Sequence, residues 1–125
     1  MSAVVDTSVL IDYLRGHEGA ARALETARNR GALHASEITR VEILAGMRAG
    51  EEPRIRLLFA ALDWHPVNAD VAEEAGRLGQ AWLRSHSGID SADLAIAATA
   101  RVFRLELVTT NVRHFPMFAG LRAPY

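Results

Sequence analysis

Three carboxylates, Asp6, Glu42 and Asp93, each interrupt a segment that otherwise reads as apolar and buried. An ionised carboxylate alone in an apolar interior is costly, so it is paired, protonated or bound to a metal. If three such segments bring their acids together, mutual repulsion makes a divalent cation with hard-oxygen preference the natural remedy. Each acid also has a plainer reading. Asp6 can cap the helix after it, although Thr7 and Ser8 already stand there as caps. Glu42 can snorkel from the edge of a helix face formed by Ile38, Ala45 and Gly46, with no arginine at pairing distance on that helix. Gly46 within a helix costs up to ~1 kcal/mol relative to Ala, which reads as space left for something else. Asp93 lies three residues after Asp90, the spacing of a capping-box pair.

The elements that must position these acids are short. Ala3-Val4-Val5 reads as a strand ending at Asp6, followed by a helix from Val9 to Arg15 that Gly16 stops. A second helix spans Ala20 to Arg30, with Leu24 and Ala27 inward. Leu33 to Ala35 is a second strand, and Ser36 caps a helix from Glu37 to about Ala49. Glu51-Glu52-Pro53 opens a helix to about Leu62. A strand follows at Trp64 to Val67, then a long helix from Asn68 or Asp70 to about Ser85. Asp90 or Ser91 caps an apolar helix to about Arg104. Leu105 to Thr110 is a strand, residues 113–118 a helical turn, and Leu121 to Ala123 a small last strand. Short strands, apolar on both faces and alternating with helices, predict a single α/β domain over residues 1–125 with a mostly parallel sheet covered on both sides. Ligands of such sheets gather at the carboxyl ends of the strands, where Asp6, Thr110 and Asn111 fall.

Composition removes several classes of chemistry. The 125 residues are half apolar and 23% charged, which is globular. There is no cysteine, so disulfides, thiolate metal sites and a Cys nucleophile are excluded, and a reducing cytoplasm is the expected compartment. No run approaches the ~20 apolar residues of a membrane span, and the start lacks the features of a signal peptide. All fourteen basic residues are arginine. The missing lysine excludes Schiff-base chemistry, the P-loop lysine and the lysine of phosphoacceptor receiver domains. A haloacid-dehalogenase-type site needs a second Asp where Ser8 stands. A net charge of −1 means that any nucleic-acid contact comes from a local basic rim, for which Arg113, Arg40 and Arg15 are candidates.

Four motifs taken together, Val4-Val5-Asp6-Thr7-Ser8-Val9-Leu10-Ile11, Ser36 to Gly46, Asp93 to Ala100, and Leu107 to Phe115, resemble the PIN-domain ribonucleases of the VapC toxin type. The likeness runs from end to end. It implies that Asp6, Glu42 and Asp93 are catalytic, holding one or two Mg²⁺ or Mn²⁺ ions, with Thr7, Ser8 and Thr110 as supporting donors. Many relatives carry a fourth acid where this chain has Asn111, whose amide oxygen can still ligate or orient a water but brings no charge, which weakens the case for a tightly held second Mg²⁺; Asp90 could compensate or simply cap its helix. The resemblance further implies hydrolysis of phosphodiester bonds in structured RNA, such as transfer or ribosomal RNA, a homodimer, and a cognate VapB-like antitoxin. His114 could protonate a leaving group, although the plainer reading, and the favoured one, is a surface histidine near a helix end. The alternative is a catalytically weakened PIN domain that binds RNA or antitoxin without cutting.

Overall fold

The computed structural model describes residues 1–125. Four short strands, β1 (Ala3–Val5), β2 (Leu33–Ser36), β3 (Asp63–His65) and β4 (Glu106–Val108), form one sheet in the order β3-β2-β1-β4. Every pairing is parallel, with Val4 opposite His34 on one side and Leu107 on the other. The chain moves outward from β1 to β3 and then returns to place β4 on the free side of β1. The direction of winding therefore reverses between β1 and β4, and that reversal is where doubly wound sheets open a crevice at their carboxyl edge.

Helices cover both faces. Val5, Leu33 and Ala35 pack with α1 (Thr7–Leu14), α2 (Glu18–Arg30) and α4 (Glu52–Ala60) in one core. Val4 and Leu107 pack with α5 (Ala69–Trp82) and α6 (Ser91–Val102) in the other. Alternation along β1 thus sends adjacent valines, both with no exposed surface, into opposite cores. Each contributes about 1.5–3 kcal/mol by burial. Helix α6 is buried from Asp93 to Ala100, so its apolar residues run around the whole helix rather than along a stripe. The short helix α3 (Glu37–Ala45) follows β2 directly, with Ser36 Oγ accepting from Ile38 N at 3.2 Å.

Several boundaries differ from those expected. The third strand is residues 63–65 rather than 64–67, because Pro66 has no N–H to continue the ladder. Residues 121–123 form no strand. Helix α1 begins at Thr7, so Thr7 and Ser8 lie inside its first turn and neither caps it. Helix α3 stops at Ala45, and Gly46 is its C-cap with φ −95° rather than an interior residue. A Cβ on Gly46 would meet only the Glu42 carbonyl, at an ordinary 3.5 Å, and otherwise open space. Arg48 N–H is instead taken by Glu51 Oε1 at 2.7 Å, which folds the chain away from α3.

Candidate functional site

The site begins where β1 ends. Asp6 N–H donates to Val108 O at 2.9 Å, so the Asp6 backbone still belongs to the sheet while its side chain leaves the carboxyl edge between β1 and β4. Asp6 is only 3% exposed. It occupies the N-cap position of α1, yet its carboxylate accepts nothing from the helix backbone. Its Oδ2 accepts instead from the hydroxyls of Ser8 (2.8 Å) and Thr109 (2.7 Å). Thr110 Oγ1 donates to Ser8 Oγ at 3.2 Å, and Asn111 N–H is held by Thr109 Oγ1 at 2.9 Å. The segment after β4 is thereby tied to the first turn of α1 by hydroxyls.

Glu42 enters from α3, half-buried, and its Oε1 accepts the Thr7 hydroxyl at 2.6 Å. The same hydroxyl meets the buried Thr39 Oγ1 at 2.9 Å. Asp93 comes from the first turn of α6 and is 7% exposed. Here the capping reading is realised: Asp93 N–H donates to Asp90 Oδ1 (2.8 Å), and Asp90 N–H returns to Asp93 Oδ2 (3.1 Å). The same Oδ2 lies 3.2 Å from His114 Nδ1, in the 3₁₀ turn Val112–His114. Burial pushes the Asp93 carboxyl up to about 6; the backbone hydrogen bond at Asp90 and the charge of His114 oppose that rise, and the charge of Asp90 adds to it.

One pattern unites the three acids. Each is gripped through a single oxygen, Asp6 by Oδ2, Glu42 by Oε1 and Asp93 by Oδ2. No buried side-chain polar atom in the chain lacks a partner, so the other oxygen of each carboxylate, which has no protein donor, reaches accessible space. Three fixed carboxylates with a free oxygen each are a hard donor set suited to Mg²⁺ or Mn²⁺. The side chains do not close into a cage: no three Asp, Glu or His groups stand close enough to enclose an ion as placed. Mg²⁺ tolerates this, since it keeps several waters and takes one or two carboxylates directly.

The remaining candidates fall in different places. Arg40 is committed to Glu37 (Nε to Oε1 2.6 Å), which raises its pKa, and its guanidinium lies over the Trp64 ring at 4.1 Å. Arg15 is paired with Glu51. Arg113 is exposed and has no carboxylate partner. Asn111 is exposed and its side chain caps nothing. Thr109 and Thr39, both fully buried, were not singled out from sequence. Neither carries a local signal: Thr109 meets Asp6 only once β4 is laid beside β1, and Thr39 meets Thr7 only once α3 is laid against α1.

Asp6, and Glu42 held by the Thr7 hydroxyl, stand beside the carboxyl end of β1, at the reversal point of a doubly covered parallel sheet, where such sheets bind their ligands. The chain belongs to the PIN-domain family, whose model matches residues 3–120. Ribonuclease VapC19 of Mycobacterium tuberculosis is 46% identical over 123 residues, 98% of either chain. Ribonuclease VapC10 of the same organism is 40% identical over 122 residues, 98% of this chain and 92% of the relative. Among solved structures, a toxin-antitoxin complex from Klebsiella pneumoniae superimposes with a TM-score of 0.86 at 32% identity, covering 99% of this chain and 98% of that one.

Proposed function

We propose that this chain is a VapC-type toxin: an endoribonuclease, dependent on Mg²⁺ or Mn²⁺, that hydrolyses phosphodiester bonds in structured RNA. The observation that carries the reading is the single-oxygen grip on Asp6, Glu42 and Asp93, which fixes each carboxylate and leaves its second oxygen free. A bound divalent ion would supply an activated water and neutralise charge building on the phosphoryl oxygens. The protein's own part is to hold the acids still. Ser8 and Thr109 lock the rotamer of Asp6, Thr7 orients Glu42, and the Asp90 N–H with His114 orients Asp93. His114, touching Asp93, is positioned to carry a proton toward a leaving oxygen.

The likeness to a solved toxin-antitoxin complex and to two named VapC ribonucleases supports an antitoxin of the VapB kind as partner. The same reading includes a homodimer, which the family likeness implies. No helix is long and apolar enough to cross a membrane. One residue favours a second reading. Asn111 brings no charge where many relatives have an acid, which would weaken a second ion and leave an RNA- or antitoxin-binding module.

Cleavage of a labelled structured RNA by the purified chain decides between them. The nuclease reading expects cleavage with Mg²⁺ or Mn²⁺, none in EDTA, and none from a folded Asp6→Asn variant. Binding without cleavage under all these conditions selects the second reading.

A further inference from the structure

A second feature lies beside Asp93. The loop between α5 and α6 and the 3₁₀ turn after β4 face each other across a cleft of about 580 Å³. Its walls include His86, Ser87, Gly88, Arg113 and His114, with no apolar side chain except Pro116 and no carboxylate. Seven of the fourteen arginines, Arg113 among them, have neither an ion pair nor a side-chain hydrogen bond within the chain, and Arg113 is the one that lines this cleft. The His86 ring packs against Trp82, and its Nδ1 pairs with Ser85 Oγ at 2.8 Å, which leaves Nε2 unengaged.

His114 is the shared wall. Its Nδ1 lies 3.2 Å from Asp93 Oδ2, while its Nε2 borders Gly88, where an added Cβ would stand 3.4 Å away. The cleft and Asp93 are thus separated by the width of one imidazole ring. Guanidinium, imidazole and hydroxyl donors without acids or apolar surface match a phosphodiester group and give a peptide side chain nothing to bury.

We propose that this cleft binds the RNA phosphate adjacent to the scissile one, with Arg113 as its charged anchor and Ser87 and His86 as further donors. The inference rests on the nuclease reading, because the neighbouring phosphate is defined only if the acids act on RNA. It assigns Arg113 to positioning of the strand, one phosphate away from the reacting atoms.

The test uses a fluorescein-labelled oligouridylate, with binding followed by anisotropy in EDTA over a range of salt, alongside cleavage of a labelled structured RNA with Mn²⁺. Arg113→Gln should weaken oligouridylate binding about tenfold, the loss of one charge-assisted contact. It should flatten the slope of log affinity against log salt by about 0.7, one single-strand phosphate contact. In cleavage the loss should fall on KM rather than kcat. Arg113→Lys should restore the salt slope, and Ser87→Ala should weaken binding while leaving that slope alone. A wild-type chain that cuts RNA, with Arg113→Gln unchanged in KM and salt slope, overturns the cleft and leaves the nuclease reading standing. A wild-type chain that neither binds nor cuts RNA overturns both. If Arg113→Gln weakens binding of hexaglutamate but leaves the RNA KM unchanged, the cleft is a site for an acidic peptide and the assignment fails.

Discussion

The Thr7 hydroxyl donates to Glu42 Oε1 at 2.6 Å across 35 positions of sequence, and Thr7 directly follows Asp6. One residue therefore sets the backbone beside the first acid and the rotamer of the second. Thr7 is 6% exposed, so this bond is shielded from water and Glu42 cannot easily replace it. Thr7→Val keeps shape and volume but removes the donor. Cleavage should fall by about 10- to 100-fold, the usual effect of losing a group that orients a metal ligand. Stability should fall by about 1–2 kcal/mol. Thr7→Ser should recover most of the activity. Wild-type kcat/KM in Thr7→Val would remove Thr7 from the machinery.

Asp93 gives a prediction with a definite sign. Its carboxyl is pushed from the ordinary 3.8 to about 6, chiefly by burial. The folded chain then binds the Asp93 proton more readily than the unfolded chain does. The associated stability is fully present below the ordinary carboxylate range and is lost as pH rises through about 6. In EDTA, Asp93→Asn should therefore melt higher than wild type at pH 7.5, by a few degrees for roughly 1 kcal/mol. The advantage should shrink toward pH 4. Mg²⁺ should raise the melting temperature of wild type and much less that of Asp93→Asn, because the ion stabilises only the state that binds it. A variant that melts well below wild type at pH 7.5 would mean that the capping box outweighs the buried charge.

How far the sequence carried this description depends on which forces act locally. Pattern alone located β1, β2 and the helices α2, α5 and α6, because apolar spacing and the caps Asn68 and Asp90 are written in adjacent residues. Pro66 announced an interruption, but whether β3 starts at Asp63 or Trp64 depends on its register with β2, which is tertiary. The three acids stood out as charges in apolar segments. Their partners did not: Thr109 reaches Asp6 across 103 positions, and Thr39 stands out only once α3 is laid against α1. Arg40 stands among the candidates for an RNA contact, yet its partner Glu37 lies one helical turn away, and the Trp64 and Phe59 rings beneath it come from distant elements. Gly46 read as helix interior because nothing nearby shows that the chain turns away to reach Glu51.

A histidine pair on the far strands provides an opposite pH signature. His34 Nδ1 and His65 Nε2 lie 2.7 Å apart, with the His65 ring against Phe103. Burial lowers the His65 pKa, and the nearby His34 lowers it further, against a smaller opposing pull from Asp63. The folded chain thus binds this proton less readily than the unfolded chain. The stability it contributes is present above the ordinary histidine range and is lost as pH falls through the depressed value. His65→Gln should flatten the acid limb of the melting profile below about pH 6.5. It should leave the Asp93 limb unchanged, since the two sites share no partner. Identical acid limbs in wild type and variant would assign the loss to other groups.

Gly88 links the backbone to the site and can be tested by separating two effects in one residue. Its φ is +89°, a conformation that costs a non-glycine residue about 1–2 kcal/mol, less for asparagine, whose side chain tolerates it. A Cβ there would stand 3.4 Å from His114 Nε2, an ordinary contact with the ring that meets Asp93. Gly88→Ala should therefore lower the melting temperature by several degrees through the backbone alone. Gly88→Asn should regain part of that stability, and both folded variants should cleave RNA at close to the wild-type rate. A loss of cleavage that persists in the asparagine variant would show that the spacing between Gly88 and His114 matters to the site.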